Sequence, residues 1–417
     1  MKKMFIILSF LLLGWRPTGF AQITIEDCYS KAQLNYPLIK QYDLIERSRD
    51  YSLSNAGKGY LPQVTFSVKT SWQSEVTEIP ISVPGVKGMS KDQYGATLDI
   101  SQVVWDGGAI QSRREIVRTQ SEVEKQNLEV DLYAINERVN QLFFGILLFD
   151  AQLEQNRLFR DELERNYEKV MSFMQNGIAN QADLDAIKVE QLKAIQTESQ
   201  LTYQKNAYLD VLSAMIGENL SENVKLIKPE TISFVATYIK RPELELYNTR
   251  IQNLEAQNKV IDADLMPKLG LFATGGYGKP GLNMLKNDFS AYYIVGARLA
   301  WNFSNLYTNR NNKLLIQNSI NSVLTQQETF LFNTNLDVSR KQHEIDKYLE
   351  QMKYDDEIIA LRTSVKRASE AKMANGTLSG IDLMRDINTE ELAKQTKILH
   401  EIELLLVMYN LKFVTNN

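Results

Sequence analysis

The chain has 417 residues, 44% hydrophobic and 24% charged, with a formal net charge of −4, one cysteine and two histidines. The acidic balance offers no basic surface for nucleic acid, and one cysteine allows no internal disulfide. Beyond residue 21 no apolar run approaches the roughly 20 residues of a membrane helix, which excludes a helical membrane protein and leaves open a β-barrel, whose signal is alternation.

Residues 1–21 read as a secretory signal: Lys2 and Lys3 form the charged start, Phe5 to Leu13 the apolar stretch, and Gly19-Phe20-Ala21 a small-residue cleavage site. Loss of Lys2, Lys3 and Arg16 moves the net charge from −4 to −7. Cys28 has no Leu-x-Gly/Ala context before it, so it is read as a semi-buried thiol on a short helix and the chain as no lipoprotein. Thr24-Ile25-Glu26-Asp27 is a capping-box-like start. It opens a helix that Pro37 interrupts and that resumes to about Ala56.

The period then changes. Val64, Phe66, Val68, Thr70 and Trp72 alternate with polar residues. After a loop around Pro84-Gly85, Tyr94, Ala96, Leu98 and Ile100 alternate with Gly95, Thr97, Asp99 and Ser101. Two strands follow, each with one apolar and one polar face. From Asp106 a long helix is predicted to Gln175. Its 4/3-spaced stripe runs from Leu128 to Met174, broken only by Asn156 and Arg160. Asn176-Gly177 ends it, and a return helix stops at Gly217. Irregular sequence containing Pro229 separates this half from the next.

The second half repeats the order. Leu269, Leu271 and Ala273 begin a third strand; Tyr293, Val295, Ala297, Leu299 and Trp301 form one face of a fourth, with Arg298 on the other. A second long helix carries a stripe from Leu324 to Met373 in which Lys366 is the exception, and Asn375-Gly376 turns the chain back. A shift of 199 positions superposes the Asn176 and Asn375 turns; one of 205 superposes Pro62 on Pro267 and Pro37 on Pro242. Each half is therefore an incomplete unit built to be completed by its copy. The expected division is 1–21 signal, 22–217 first repeat, 218–240 equatorial connector and 241–417 second repeat.

Trp72, Tyr94, Trp105, Tyr293 and Trp301 cluster in or at the ends of these strands. A membrane-interface girdle has this pattern, and a soluble sheet can share it. Four strands cannot close a barrel, and an open edge is not viable in lipid. A membrane reading therefore requires several copies, with helices of about 100 Å at ~1.5 Å per residue projecting into water.

On Asn35-Tyr36-Pro37, Tyr60-Leu61-Pro62-Gln63-Val64, Gln102-Val103-Val104-Trp105-Asp106-Gly107-Gly108 and the turns Gly177…Asp183-Leu184 and Gly376…Asp382-Leu383, the sequence resembles the TolC-like outer-membrane efflux protein family over essentially its whole mature length. The resemblance implies an α+β membrane fold. A homotrimer would form a 12-strand outer-membrane β-barrel, four strands per chain, continued by an α-helical coiled-coil barrel in the periplasm. The implied function is a passive exit duct of a tripartite efflux or type I secretion system. Its implied partners are outer-membrane lipid, a periplasmic adaptor and an inner-membrane pump or ABC transporter.

Carried over by position, Asn176, Gly177, Asp183, Asn375, Gly376, Asp382 and Arg385 form the adaptor-docking and gating tips. Asp183 and Asp382 stand near helix starts, where a carboxylate suits the dipole; the other reading is an acidic ring. Ala186 and Arg385 occupy positions where some members carry a second acid, and Arg385 is placed to pair with Asp382 or with a neighbouring chain. Asp99 and Arg298 stand on polar strand faces, solvated in any case and facing the lumen of a barrel. Phe143, Phe144 and Phe149 are read as inter-helix packing. His343 and His400 have no further ligand at metal spacing, so no metal, cofactor or enzymatic role is expected. The rival reading is a periplasmic coiled-coil scaffold or adaptor without a pore, which leaves the amphipathic strands unexplained.

Overall fold

The computed structural model describes residues 23–77, 88–222, 224–231 and 238–416. The expected signal segment, the loop around Pro84-Gly85 and parts of the expected connector lie outside the described residues. Two compact units form, and each draws on both repeats: one contains 23–39, 129–241 and 330–416, the other 40–128 and 242–329.

The second of these units holds the sheet, with α2 (Gln41–Gly57) and α5 (Pro242–Ala263). Strands β1 (Gln63–Trp72), β2 (Asp92–Trp105), β3 (Lys268–Lys279) and β4 (Ser290–Ala300) pair antiparallel in the order β1-β2-β3-β4. Pro62 and Pro267 precede β1 and β3, where a missing N–H costs no ladder bond. The register sorts side chains by period two. Phe66 pairs with Leu98, Leu98 with Gly275 and Gly275 with Tyr293; Val64, Ile100, Ala273 and Val295 form the next such row. Every strand turns its apolar set to one face. That face is bare: Phe66, Val68, Trp72, Tyr293 and Val295 are each about 70–80% exposed. The opposite face carries Thr65, Ser67, Lys69, Thr97, Asp99, Thr274 and Arg298.

One irregularity matters. Val103 pairs with Gly270 but Trp105 pairs with Leu269, so Val104 is an extra residue. Strict alternation would place Trp105 with Val103 on the polar face. The bulge shifts the parity by one and delivers Trp105 to the apolar face beside Leu269 and Leu299.

The other unit is helical. It contains α1 (Ile25–Asn35), most of α3 (Ala109–Gln175), α4 (Gln181–Ile216), the later part of α6 (Asn305–Ala374) and α7 (Gly380–Thr415). The Thr24–Asp27 capping box opens α1 as expected. At 67 and 70 residues, α3 and α6 each run about 100 Å at ~1.5 Å per residue. One apolar cluster joins all four long helices through Leu163, Val170, Ile187, Met373, Leu383 and Ile387. A second packs Ile345 against Leu404, Met408 and Leu411. Phe143, Phe144 and Phe149 pack within this unit, Phe144 against Tyr409 and Phe149 against Tyr208.

Candidate functional site: hairpin tips and the two faces of the sheet

Both turns reverse direction through a glycine in the left-handed region, Gly177 at φ +74° and Gly376 at φ +70°, where a Cβ would be strained. Asn176 and Asn375 each donate a side-chain hydrogen bond to the carbonyl four residues back, on Ser172 and Ala371. The helices that follow are capped by side chains: Asn180 accepts from the Asp183 N–H, and Ser379 from the Asp382 N–H.

Past this point the symmetry breaks. Asp183 is buried. One carboxylate oxygen accepts from the Asn180 N–H at 3.0 Å and the other from the Gly380 N–H at 2.6 Å. A single side chain therefore completes its own cap and holds the first amide of α7 in the other hairpin. Gly380 is glycine for a steric reason, since a Cβ there would lie 2.6 Å from Asp183 Cβ. Asp382 has no such reach. It meets the Ser379 hydroxyl at 2.8 Å and Arg385 at 3.3 Å, in a largely exposed pair. As an anion presented to solvent, Asp183 is spent and Asp382 is partly neutralised.

On the sheet, Asp99 accepts hydroxyl hydrogen bonds from Thr274 at 2.6 Å and Thr97 at 3.1 Å. Arg298 lies over the Phe272 ring on the same polar face, 5.4 Å from its centroid. Trp72 and Tyr94 stand on the apolar face at one end of the strands, Trp105 at the other, and Trp301, just beyond β4, donates from its indole to the Leu265 carbonyl. The strand stretch from Tyr94 to Trp105 spans about 37 Å at ~3.4 Å per residue. Tilted by about 45°, it matches the roughly 25 Å apolar band of an outer-membrane barrel.

A family model described as outer membrane efflux protein matches residues 28–218. Solved outer-membrane channels share the fold through both repeats. CusC, described in connection with transmembrane channel formation, is 14% identical, with a TM-score of 0.70 over 95% of this chain and 92% of its own. VceC of Vibrio cholerae is 11% identical, with a TM-score of 0.67 over 94% of each chain. The MtrE channel of Neisseria gonorrhoeae is 11% identical, with a TM-score of 0.67 over 94% and 89%. The family model thus spans the first repeat, and the solved channels extend the likeness in fold through the second. No curated protein sequence matches this chain.

Two of the motifs that carry the resemblance turn out to be chain-turning devices. Asn35 donates to the last carbonyls of α4, on Ala214 and Met215, at 3.0 and 3.1 Å. Gly217, at φ +71°, makes room for it, since a Cβ there would meet the Asn35 amide at 2.6 Å. Asp106 caps α3 by accepting from the Gly108 and Ile110 amides at 3.0 and 2.6 Å.

The helical unit also buries charge where the sequence showed only interruptions of a seam. Lys366 reaches Glu162 on α3 and Glu390 on α7, both at 2.5 Å, and Glu390 also takes the Thr363 hydroxyl at 2.6 Å. Burial opposes both charges, yet their mutual hydrogen bonds prevail. Lys366 is held above the ordinary ammonium range and Glu390 below the ordinary carboxylate range. The neighbouring Glu391 has only the amides of Gln155 and Gln395, at 2.7 and 2.8 Å, and burial pushes its carboxyl up. Of the other two breaks, Asn156 donates to the Ala194 carbonyl at 3.0 Å and Arg160 pairs with Glu198 on α4. The exception at Lys366 was a readable signal; its acids, on other helices, were not. Cys28 is fully buried, and burial pushes its thiol up to about 12. His400 meets Asp355 at 2.9 Å, and no group of metal-ligating residues occurs among the described residues.

Proposed function

We propose that this chain is an outer-membrane exit duct, that three copies of it close a 12-strand barrel, and that the duct works with a periplasmic adaptor and an inner-membrane pump or ABC transporter. The observation that carries the reading is the four-stranded sheet, predominantly apolar on one face, with β1 and β4 unpaired on their outer edges. In lipid such edges have to be paired. The strands alternate in direction, so β4 of one copy meets β1 of the next antiparallel. This head-to-tail contact closes only as a ring. Unpartnered apolar residues on α6, among them Phe332, Leu336, Ile358, Leu361 and Val365, supply a further surface for a neighbouring copy.

In this arrangement the apolar face meets lipid, with Trp72, Tyr94, Trp105, Tyr293 and Trp301 as its aromatic members, and Asp99 and Arg298 line the lumen. The turns at Asn176, Gly177 and Asp183 and at Asn375, Gly376, Asp382 and Arg385 dock the adaptor and gate the duct. Residues 1–21 direct export, without a lipid anchor at Cys28, and the helical hairpins lie in the periplasm. Energy and substrate choice reside in the inner-membrane partner, so the duct itself is passive.

The test is the protein mass of the detergent-extracted complex from purified outer membranes, by light scattering on a sizing column. Three chains are expected. A monomer, or a protein that dissolves without detergent, overturns the reading and favours a periplasmic scaffold.

A further inference from the structure

The polar face of the sheet is not uniform. Toward the β3 start it carries an open hollow of about 190 Å³ whose lining includes Gln63, Ser101, Lys268, Gly270, Phe272 and Arg298. All six belong to that face by register: Gln63 pairs with Ser101, Ser101 with Phe272, Gly270 with Arg298 and Lys268 with Ala300. Gly270 offers no side chain between Val103 and Arg298, so the hollow opens over its backbone. Arg298 and Lys268 are diagonal neighbours across β3 and β4, a spacing of about 7–8 Å.

The chemistry of the lining is two-sided. Arg298 is exposed and, among the described residues, has no carboxylate within ion-pair distance; its guanidinium lies over the Phe272 ring instead. Lys268 is shared, its ammonium 3.4 Å from Asp264. Gln63 and Ser101 add neutral polar groups, while Phe272 and Val103 supply apolar wall. A guanidinium fork with free donors fits a carboxylate, sulfonate or phosphate. A ring beside it fits the apolar part of the same molecule.

We infer that this hollow binds amphipathic organic anions, with Arg298 taking the acid group and Phe272 the apolar body. Its use in export rests on the duct reading, in which each ring would carry one such hollow per chain on its inner wall. It then selects among substrates at the barrel, where an anion bearing an aromatic or alicyclic body is retained longer than a small inorganic anion.

The probe is naphthalene-2-sulfonate in equilibrium dialysis against the purified full-length protein in detergent, with empty micelles as reference. Saturable binding at one probe per chain is expected. R298Q should raise the half-saturation concentration about tenfold or more, the loss of one charge-assisted contact. R298K should restore part of it, F272A should weaken binding several-fold, and K69Q, elsewhere on the same face, should leave it unchanged. Equal binding by wild type and R298Q overturns the inference. So does displacement by inorganic sulfate as readily as by unlabelled sulfonate, because the ring would then contribute nothing. The mass of the same sample reports ring closure separately. A three-chain mass without Arg298-dependent binding defeats the inference alone, and a single-chain mass defeats the duct reading while leaving the binding result to stand or fall by itself.

Discussion

Removing the Asp183 carboxylate, in D183A, tests the asymmetry of the two hairpin turns. The side chain accepts from two amides, and the Gly380 N–H that it takes at 2.6 Å is buried. A hydrogen bond to a charged acceptor contributes about 1.5–3 kcal/mol, and a buried donor left unmade forfeits that contribution. The second bond, to the Asn180 N–H at 3.0 Å, is half of a capping box and adds about 1 kcal/mol. Together they come to about 3 kcal/mol, which is roughly a hundredfold in the local opening equilibrium. The assay is hydrogen-exchange mass spectrometry of the detergent-purified protein, following peptides over 176–187 and 375–387. D183A should speed exchange at the start of α7 by about two orders of magnitude, although the substitution lies 197 positions away. D382A, its counterpart under the repeat, loses only a serine contact and an exposed ion pair worth about 0–1 kcal/mol, so its effect should stay below about tenfold. Equal effects of the two variants, or unchanged exchange at Gly380 in D183A, would refute the reasoning.

K366M leaves Glu162 without its cation and Glu390 with only Lys394, at 3.3 Å, and should destabilise the helical unit by about 3 kcal/mol, the low end for a broken buried pair, read as a lower thermal midpoint of helical circular dichroism. The pH course follows from the same pair. Glu390 titrates below its ordinary value, so its contribution is present above about 4.5 and is lost as acid carries the pH through the lower folded value. Lys366 titrates above 10.5, so its contribution is present below that value and is lost as base carries the pH through the higher folded value; a K366M defect as large at pH 3 as at pH 7 would contradict this. Glu391 has the opposite sign for a carboxylate. Its raised folded pKa favours the fold in acid, so E391Q should raise the midpoint at pH 8, with the gain shrinking to nothing toward pH 4. Deleting Val104 removes the bulge but leaves Trp105 directly after Val103, still opposite Leu269 on the apolar face; quenching of Trp105 fluorescence by brominated lipid, measured in a variant retaining only that tryptophan, should persist near the parent level, and its loss would contradict this register.

The parts legible in the sequence were those specified over short distances. The alternation in all four strands, the two turn glycines, the break at Pro37 and the cap at Thr24 were each readable within a few residues of themselves. The pairing of β2 with β3 was not, because it joins Leu98 to Gly275 across an entire helical hairpin. Trp105 is legible in the sequence only as an aromatic at a strand end; its place on the apolar face depends on the extra residue at Val104, which only the ladder shows. Asp183 was placed at a helix start, which accounts for one of its two bonds; the bond to Gly380 is tertiary and leaves no periodic trace. Lys366 stood out as a charge in an apolar seam. Glu162, Glu390 and Glu391 did not, since glutamates are ordinary on helix surfaces and only the packing of three helices encloses these.

The unpaired edges of β1 and β4 bear on inheritance as well as on assembly. A ring that closes only when every copy offers both edges gives a faulty allele reach over the sound one. A subunit with a normal β1 edge and a proline-blocked β4 edge would be recruited by its neighbours and would leave a gap that none of them can fill. In a three-membered ring drawn at random from equal amounts of sound and blocked copies, only about one assembly in eight is free of the defect. A merely unstable allele halves the supply; an edge-blocked one is dominant.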